Sequence, residues 1–312
     1  MNIPIRFFDW NSRGFGQEGR RKHLSEYIRR EDVDIVGIQE TLRQDFSIEE
    51  LQGLSPHKFV WQWLPTAGHS GGILLGTKEE TFEVDDMDRG EFFVSMLLTQ
   101  RRTSLQWEVI VVYGPADHSR SPAFLAEVRA KVEWCTTPLV IAGDFNLIRS
   151  PDDKSSANLD VHRMRMFNDC IADLALREIR RVGARYTWTN NRVDPIRSVL
   201  DRVFVSVDWE VAFPLCSLRA LTRVGSDHTP LLLSAGGACP PRSNRFHFEN
   251  FWLEQPRFME MVCLKWADAV AHPPRLYNAV DAWHHCAQMA RRFMRCRGLT
   301  AGLCCDSGSL SY

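Results

Sequence analysis

From residue 3 to residue 235 the chain alternates short apolar runs with polar stretches and with segments of helical spacing. Residues 3–9 read as a strand. So do Asp34–Ile38, Phe59–Trp63, Gly72–Leu75, Phe92–Thr99, Trp107–Tyr113, Leu139–Ala142, Tyr186–Thr189, Val199–Val205 and Thr229–Ser234. Each run has strand length and is bounded by turn-forming residues. Glu18–Arg30, Ser121–Cys135 and Val161–Ala175 have helical spacing; in the last, Met164, Phe167, Ile171 and Leu174 share one face. Many strands with few helices between them predict two sheets packed face to face with helices outside. The pattern alone does not separate that arrangement from a barrel.

The rhythm breaks at Ala235-Gly236-Gly237-Ala238-Cys239-Pro240-Pro241, where small residues and two prolines mark a domain edge. The expected division is a first domain over residues 1–236, a helical extension over 237–294 and an unstructured tail over 295–312. Within the extension Phe246–Trp266 is rich in aromatics and Leu276–Met294 is helix-like.

Composition adds exclusions. No apolar run approaches the roughly 18 residues of a membrane span. The N-terminus, Met1-Asn2-Ile3-Pro4-Ile5-Arg6, lacks the charged-then-apolar layout of a secretory signal. Both point to a nuclear or cytoplasmic protein. The nine cysteines are scattered with no CxxC pair, which argues for reduced thiols over a disulfide framework or zinc site. The formal net charge is −1, a value that can still hide a basic face over an acidic site.

Candidate chemistry lies in what ends the apolar runs. Phe7-Phe8-Asp9-Trp10 ends in Asn11, Asp34–Ile38 in Gln39-Glu40, and Val109–Val112 in Tyr113-Gly114-Pro115. Leu139–Ala142 ends in Gly143-Asp144-Phe145-Asn146. Asp201-Arg202 heads another run, and Ser226-Asp227-His228 stands just before the last. Strand ends deliver their residues to a sheet edge, where loops gather and sites are built. Carboxylates brought together there raise one another's free energy unless a partner neutralises them. A hard divalent cation with oxygen ligands is such a partner.

In this order the segments Trp10-Asn11, Gln39-Glu40, Tyr113-Gly114-Pro115, GDFN (143–146), Leu200-Asp201-Arg202 and Ser226-Asp227-His228 resemble the endonuclease/exonuclease/phosphatase superfamily. WNSRGFG (10–16), the run Phe145–Lys154, Arg185-Tyr-Thr-Trp-Thr-Asn190 before Leu200-Asp-Arg202, and Arg245–Trp252 are similar to the endonuclease domain of plant LINE-type (non-LTR) retrotransposons. The resemblance spans about residues 5–270, and no reverse transcriptase follows within the 312 residues; the expectation is a truncated or domesticated copy.

That resemblance implies a DNase I-like, four-layer α/β sandwich of two packed β-sheets flanked by helices. It implies Mg²⁺ as cofactor, with Mn²⁺ as a substitute, and DNA as partner. Glu40 becomes the principal metal ligand, with Asn11 beside it and Asp227 helping to position metal or histidine. Asp144 orients or deprotonates the attacking water, Asn146 holds water or phosphate, and Tyr113 contacts the phosphate. His228 stands against the scissile phosphate, and Asp201 fixes its tautomer. Two departures bear on DNA grip: Ala116-Asp117 follow the Tyr-x-Pro segment where many nucleases of the superfamily have an asparagine, and Val199 precedes Leu200-Asp-Arg202 where plant elements often have a base.

Other features have plainer readings. Arg20-Arg21-Lys22 and Arg29-Arg30 read as the solvated face of the first helix rather than a phosphate-binding or nuclear signal. Trp188 reads as core or as a stacking platform. His284-His285 are adjacent on a helix and point apart. The leading function is a DNA-nicking endonuclease that leaves a 3′-hydroxyl. The alternatives are a catalytically silent retrotransposon remnant and a phosphatase or lipid phosphodiesterase of the same superfamily.

Overall fold

The computed structural model describes residues 4–67, 70–236, 259–260 and 262–264. The chain forms two compact units, residues 1–239 and 240–312. In the second, the described residues 259–260 and 262–264 are helical. The aromatic-rich stretch, the helix-like Leu276–Met294, His284-His285 and the tail lie otherwise outside the described residues.

The first half of the chain supplies β1 (Ile5–Asn11), β2 (Ile35–Gln39), β3 (Phe59–Ala67), β4 (Ser70–Lys78), β5 (Phe82–Arg89), β6 (Phe93–Gln100), β7 (Gln106–Tyr113) and β8 (Leu139–Asp144). Four two-residue strands follow: β9 (Arg177–Glu178), β10 (Arg181–Val182), β11 (Trp188–Thr189) and β12 (Arg197–Ser198). The last three are β13 (Asp201–Val205), β14 (Cys216–Ala220) and β15 (Leu231–Ala235). The helices are α1 (Glu18–Glu31), α2 (Ile48–Gln52), α3 (Ser121–Trp134), α4 (Val161–Asp173) and α5 (Val207–Ala212).

One large sheet has seven strands in the order β10-β14-β15-β1-β2-β4-β3, the other large sheet has six in the order β5-β6-β7-β8-β13-β9, and β11 and β12 form a two-stranded ribbon. β1 and β2 pair in parallel, as do β7 and β8, while their outer neighbours β15, β4, β6 and β13 pair antiparallel. Two mixed sheets packed on each other, with helices outside, is the sandwich expected.

Alternation along the central strands divides each between two cores, because successive side chains point to opposite faces. Phe7, Val109, Val111, Val140, Ala142, Val203 and Val205 meet between the sheets. Residues of the opposite parity turn outward: Phe8, Trp10, Val36 and Ile38 pack with Leu24, Tyr27 and Ile28 of α1. On the other side Ile110, Val112, Ile141 and Phe204 pack with Phe124 of α3 and Phe167 of α4. Phe145, next to the strand end, sits edge-on to Phe204 at 5.1 Å between centroids. It therefore anchors the loop that follows β8 to the outer core.

The same parity places the polar residues. Asn11 continues the inward face of Phe7, Tyr113 that of Val109 and Val111, Asp144 that of Val140 and Ala142. Asp201 begins the inward face of Val203 and Val205. Each sheet thus sends polar groups into one end of the layer whose middle is mostly apolar.

Candidate active site

Register brings the second sheet's residues together. Asp201 on β13 is directly opposite Asp144 on β8, and Tyr113 on β7 lies beside the same Asp144. The glycine before Asp144 makes this geometry available. Gly143 has φ 141°, and a Cβ there would stand 2.0 Å from the Val112 carbonyl oxygen. Asn146, at φ 51°, then curls back so that its N–H donates to Asp144 Oδ1 at 2.9 Å and its amide donates to the Gly114 carbonyl at 2.8 Å.

The first sheet contributes across the interlayer gap. Asn11 Nδ2 donates to Asp144 Oδ2 at 2.9 Å, and both residues are buried. His228, from the turn before β15, places Nδ1 2.9 Å from Asp201 Oδ2 and Nε2 3.7 Å from Asp144 Oδ2. Asp144, Asp201 and His228 each offer a potential ligand atom, all within 4.8 Å of one another. Ser226 secures this turn: its hydroxyl donates to the Asn11 carbonyl at 2.8 Å and accepts the His228 N–H at 3.1 Å.

The electrostatics follow from near-complete burial. Burial on its own would push the His228 imidazolium down, but the charges of Asp201 and Asp144 and the hydrogen bond to Asp201 outweigh it and lift it to about 9. Burial likewise pushes Asp144 up to about 7, with Asp201 adding to the rise and His228, Asn146 and Asn11 opposing it. Beneath them, Asp9 on β1 accepts from Gln39 Nε2 at 2.6 Å, and burial raises its carboxyl well above the usual range.

Glu40 follows β2, half-buried and at φ 51°, and hydrogen-bonds the Tyr113 side chain. Burial first, then the nearby charges of Glu40 and Asp144, raise the Tyr113 phenol, which stays neutral. Asp227 is buried; its Oδ2 accepts from Trp188 Nε1 at 3.0 Å and from Arg13, and its Oδ1 has no hydrogen-bond partner among the described residues. All eight sequence-predicted residues therefore belong to one connected region. Asn11, Asn146, Asp144, Asp201 and His228 form its tightly bonded centre, while Glu40, Tyr113 and Asp227 stand around it. Beside Tyr113 opens a cleft of about 150 Å³ lined by Gly72, Phe92, Ala116, Asp117 and Arg120 among others.

Three contributions were not anticipated from the sequence. Thr187, fully buried, accepts the backbone N–H groups of Leu200 and Asp201 on its hydroxyl at 2.9 and 3.0 Å. It also accepts the Thr229 N–H at 2.7 Å on its carbonyl, so it ties the Asp201 strand to the residue after His228. Trp188 is half-buried, and its indole N–H is committed to Asp227. The basic cluster on α1 is not merely a solvated face. Arg20 donates to carbonyls of Arg13, Gly14 and Gly225, and Arg21 to those of Phe15 and Gly16, which stitches two site loops together. Lys22, paired with Glu18, and Arg29 and Arg30 are exposed to solvent, as expected.

The sequence profile described as Endonuclease/Exonuclease/phosphatase family matches residues 10–228. The chain belongs to that family. The match begins at Trp10, beside Asn11, and ends on His228 itself. No curated protein sequence matches the chain. Among solved structures, the AP endonuclease LMAP from Leishmania major superposes with a TM-score of 0.63 at 16% identity, covering 75% of this chain and 88% of that one. The endonuclease domain of TRAS1, a telomere-specific non-LTR retrotransposon, gives 0.57 at 14%, covering 75% and 99%. The 3′ phosphatase NExo from Neisseria, bound to product DNA hairpin, gives 0.58 at 18%, covering 73% and 98%. At these identities the likeness is one of fold, which is that of the family's nucleases and phosphatases. No helix among the described residues is long and apolar enough to cross a membrane.

Proposed function

We propose that the protein is a metal-dependent phosphodiesterase that nicks DNA and leaves a 3′-hydroxyl, derived from the endonuclease of a LINE-type retrotransposon. The observation that carries this reading is the imidazole of His228 clamped between Asp201 and Asp144 at the mouth of the interlayer gap. Phosphodiester hydrolysis needs a placed water, neutralised phosphate oxygens and a stabilised leaving alkoxide. Asp144, held by Asn11 and Asn146, is a carboxylate able to orient or deprotonate water. His228, kept cationic by Asp201, offers Nε2–H to a phosphate oxygen. Tyr113, a neutral phenol, is a further donor.

The site fits a hard divalent cation, in this reading Mg²⁺ with Mn²⁺ as a substitute. Its oxygen donors are Glu40, the Asn11 side-chain oxygen, which also accepts the Arg13 N–H, and the buried Oδ1 of Asp227, which has no partner among the described residues. The trio Asp144–Asp201–His228 is the poorer host, because an imidazolium has no lone pair to give and already balances its carboxylates. Glu40, with Asn11 and Asp227, would hold the ion, which would supply charge neutralisation at the phosphate. The likeness to the TRAS1 endonuclease domain and to AP endonucleases supports DNA as substrate, and WNSRGFG supports the retrotransposon origin.

End chemistry tests the reading. Supercoiled plasmid nicked by the protein in Mg²⁺ should be extended by a DNA polymerase directly from the nick. Nicks that need prior phosphatase treatment before extension would refute the 3′-hydroxyl product. Release of phosphate from a 3′-phosphorylated duplex without any nicking would favour the phosphatase alternative.

A further inference from the structure

The turn after β1 holds an arginine at φ 51°, a backbone state that persists in a non-glycine residue only where neighbours fix it. They do so here. The Arg13 N–H donates to Asn11 Oδ1 at 3.0 Å, and Arg20 donates to the Arg13 carbonyl. On either side Ser12 and Gly14 donate their N–H groups to the carbonyls of Gln39 and Glu40, at 3.0 and 2.7 Å. Arg20 also donates through Nε to the Gly225 carbonyl at 2.9 Å, which draws the loop carrying Asp227 to the same place.

The side chain is anchored at one point and open at the others. Nη1 pairs with Asp227 Oδ2, and among the described residues Nε and Nη2 have no partner. The Arg13 side chain is 57% exposed while that of Asp227 is 4% exposed, so the fork projects from a buried anchor toward solvent. Trp188 donates to the same carboxylate oxygen at 3.0 Å, so hydrogen bonding to Asp227 does not take up the whole guanidinium. The positive charge of Arg13 also reaches Tyr113, where it opposes the rise of the phenol.

We propose that Arg13 is a substrate-binding residue: with Nη1 held on Asp227, its Nε and Nη2 donate to a non-bridging phosphate oxygen of a nucleic-acid backbone entering the site. A guanidinium fork matches phosphate geometry through paired donors. Holding one nitrogen in advance removes much of the ordering cost that an exposed arginine meets on binding. This inference rests on the reading of a DNA substrate, yet it can be tested without catalysis.

The test is equilibrium binding of the full chain to a fluorescein-labelled 20-base-pair duplex in EDTA, followed by anisotropy over a sodium chloride series. For every phosphate that is no longer neutralised, the slope of log affinity against log salt becomes shallower by about 0.9. Arg13→Gln should flatten the slope by about one unit, and Arg13→Lys should keep it. Trp188→Phe, which removes the other donor to Asp227 without changing charge, should also keep it. A wild-type slope in Arg13→Gln overturns the proposal. An equal flattening in Trp188→Phe overturns it too, by showing that Arg13 acts only through Asp227. So does a wild type with no salt-dependent duplex binding. A protein that passes this test yet never nicks would count against the proposed function and leave Arg13's role standing.

Discussion

His228 is held between Asp201 and Asp144 with almost no solvent around it, so its protonation bears on stability and on chemistry together. Its folded value near 9 lies above the unfolded value of about 6.5. The stability it contributes is therefore complete below about pH 6.5 and is lost as pH rises through 9. Asp144, lifted from 3.8 to about 7, acts in the same sense: its contribution is complete below about pH 4 and is lost as pH rises through 7. In EDTA, thermal melting should fall between about pH 6 and pH 9.5. Calorimetry across that range checks this, and a melting temperature that rises with pH would contradict the charge assignment. For activity, the same imidazolium predicts an alkaline limb. Replacing Asp201 with Asn removes the leading charge that raises His228, so the limb of kcat should move to lower pH by about a unit or more. Asp144→Asn and His228→Ala should each lower nicking by about two orders of magnitude or more.

Much of this centre is legible in the chain, because Asn11, Tyr113, Asp144, Asp201 and His228 all flank apolar runs. Inward parity then explains why they converge. Thr187 escaped notice for a physical reason: a threonine inside a strand-like run reads as a β-former, and nothing local says that its hydroxyl will satisfy two backbone donors from residues 200 and 201. Arg20 escaped likewise, since partners at residues 13, 14 and 225 are a tertiary fact.

At the scale of elements, the strands with alternating or continuous apolar patterns were found within a few residues, and those lacking such a pattern were not. β5, Phe82–Arg89, is exposed along most of its length and ends in Asp85, Asp86, Met87, Asp88 and Arg89, the kind of charged run that edge strands often carry. The short strands β9, β10 and β12 and the strand β14 owe their existence to neighbours rather than to their own periodicity, whereas β11 lies within the expected run Tyr186–Thr189. Two element-level contacts yield predictions. Arg202, the basic residue of Leu200-Asp201-Arg202, is 3% exposed at its side chain and pairs with Asp153 and Glu178 at 2.5 Å each. It therefore braces the loop after β8 against β13, on the face opposite Asp201. Arg202→Met takes the ion-pair partner from Asp153 and leaves Glu178 to Arg149, and should cost about 3 kcal/mol in urea unfolding, with nicking retained at low temperature. Loss of nicking without loss of stability would show that the arginine acts on substrate. Gly143→Ala forces a Cβ against the Val112 carbonyl and should cost roughly 2 kcal/mol or more in the same measurement. A variant as stable as wild type would show that β8 can end without this bend.

For the whole molecule, the division at residue 239 gains meaning from what lies before it. Every residue of the proposed site, both large sheets and the three hydrophobic cores fall in residues 5–235. A fragment ending at residue 238 should therefore fold and nick within about threefold of the full chain, a difference under roughly 1 kcal/mol in barrier. An unfolded or inactive fragment would show that the second unit completes the first. In the proposed function, hydrolysis at the Asp144–His228–Asp201 centre is assisted by a metal ion that Glu40, Asn11 and Asp227 would hold. This metal dependence is tested most directly by the initial rate of supercoiled plasmid nicking by the full chain, in Mg²⁺ and again with EDTA in excess. Relaxation in Mg²⁺ and none in EDTA is the expected result; undiminished nicking in EDTA, or an intact plasmid in both, would contradict it.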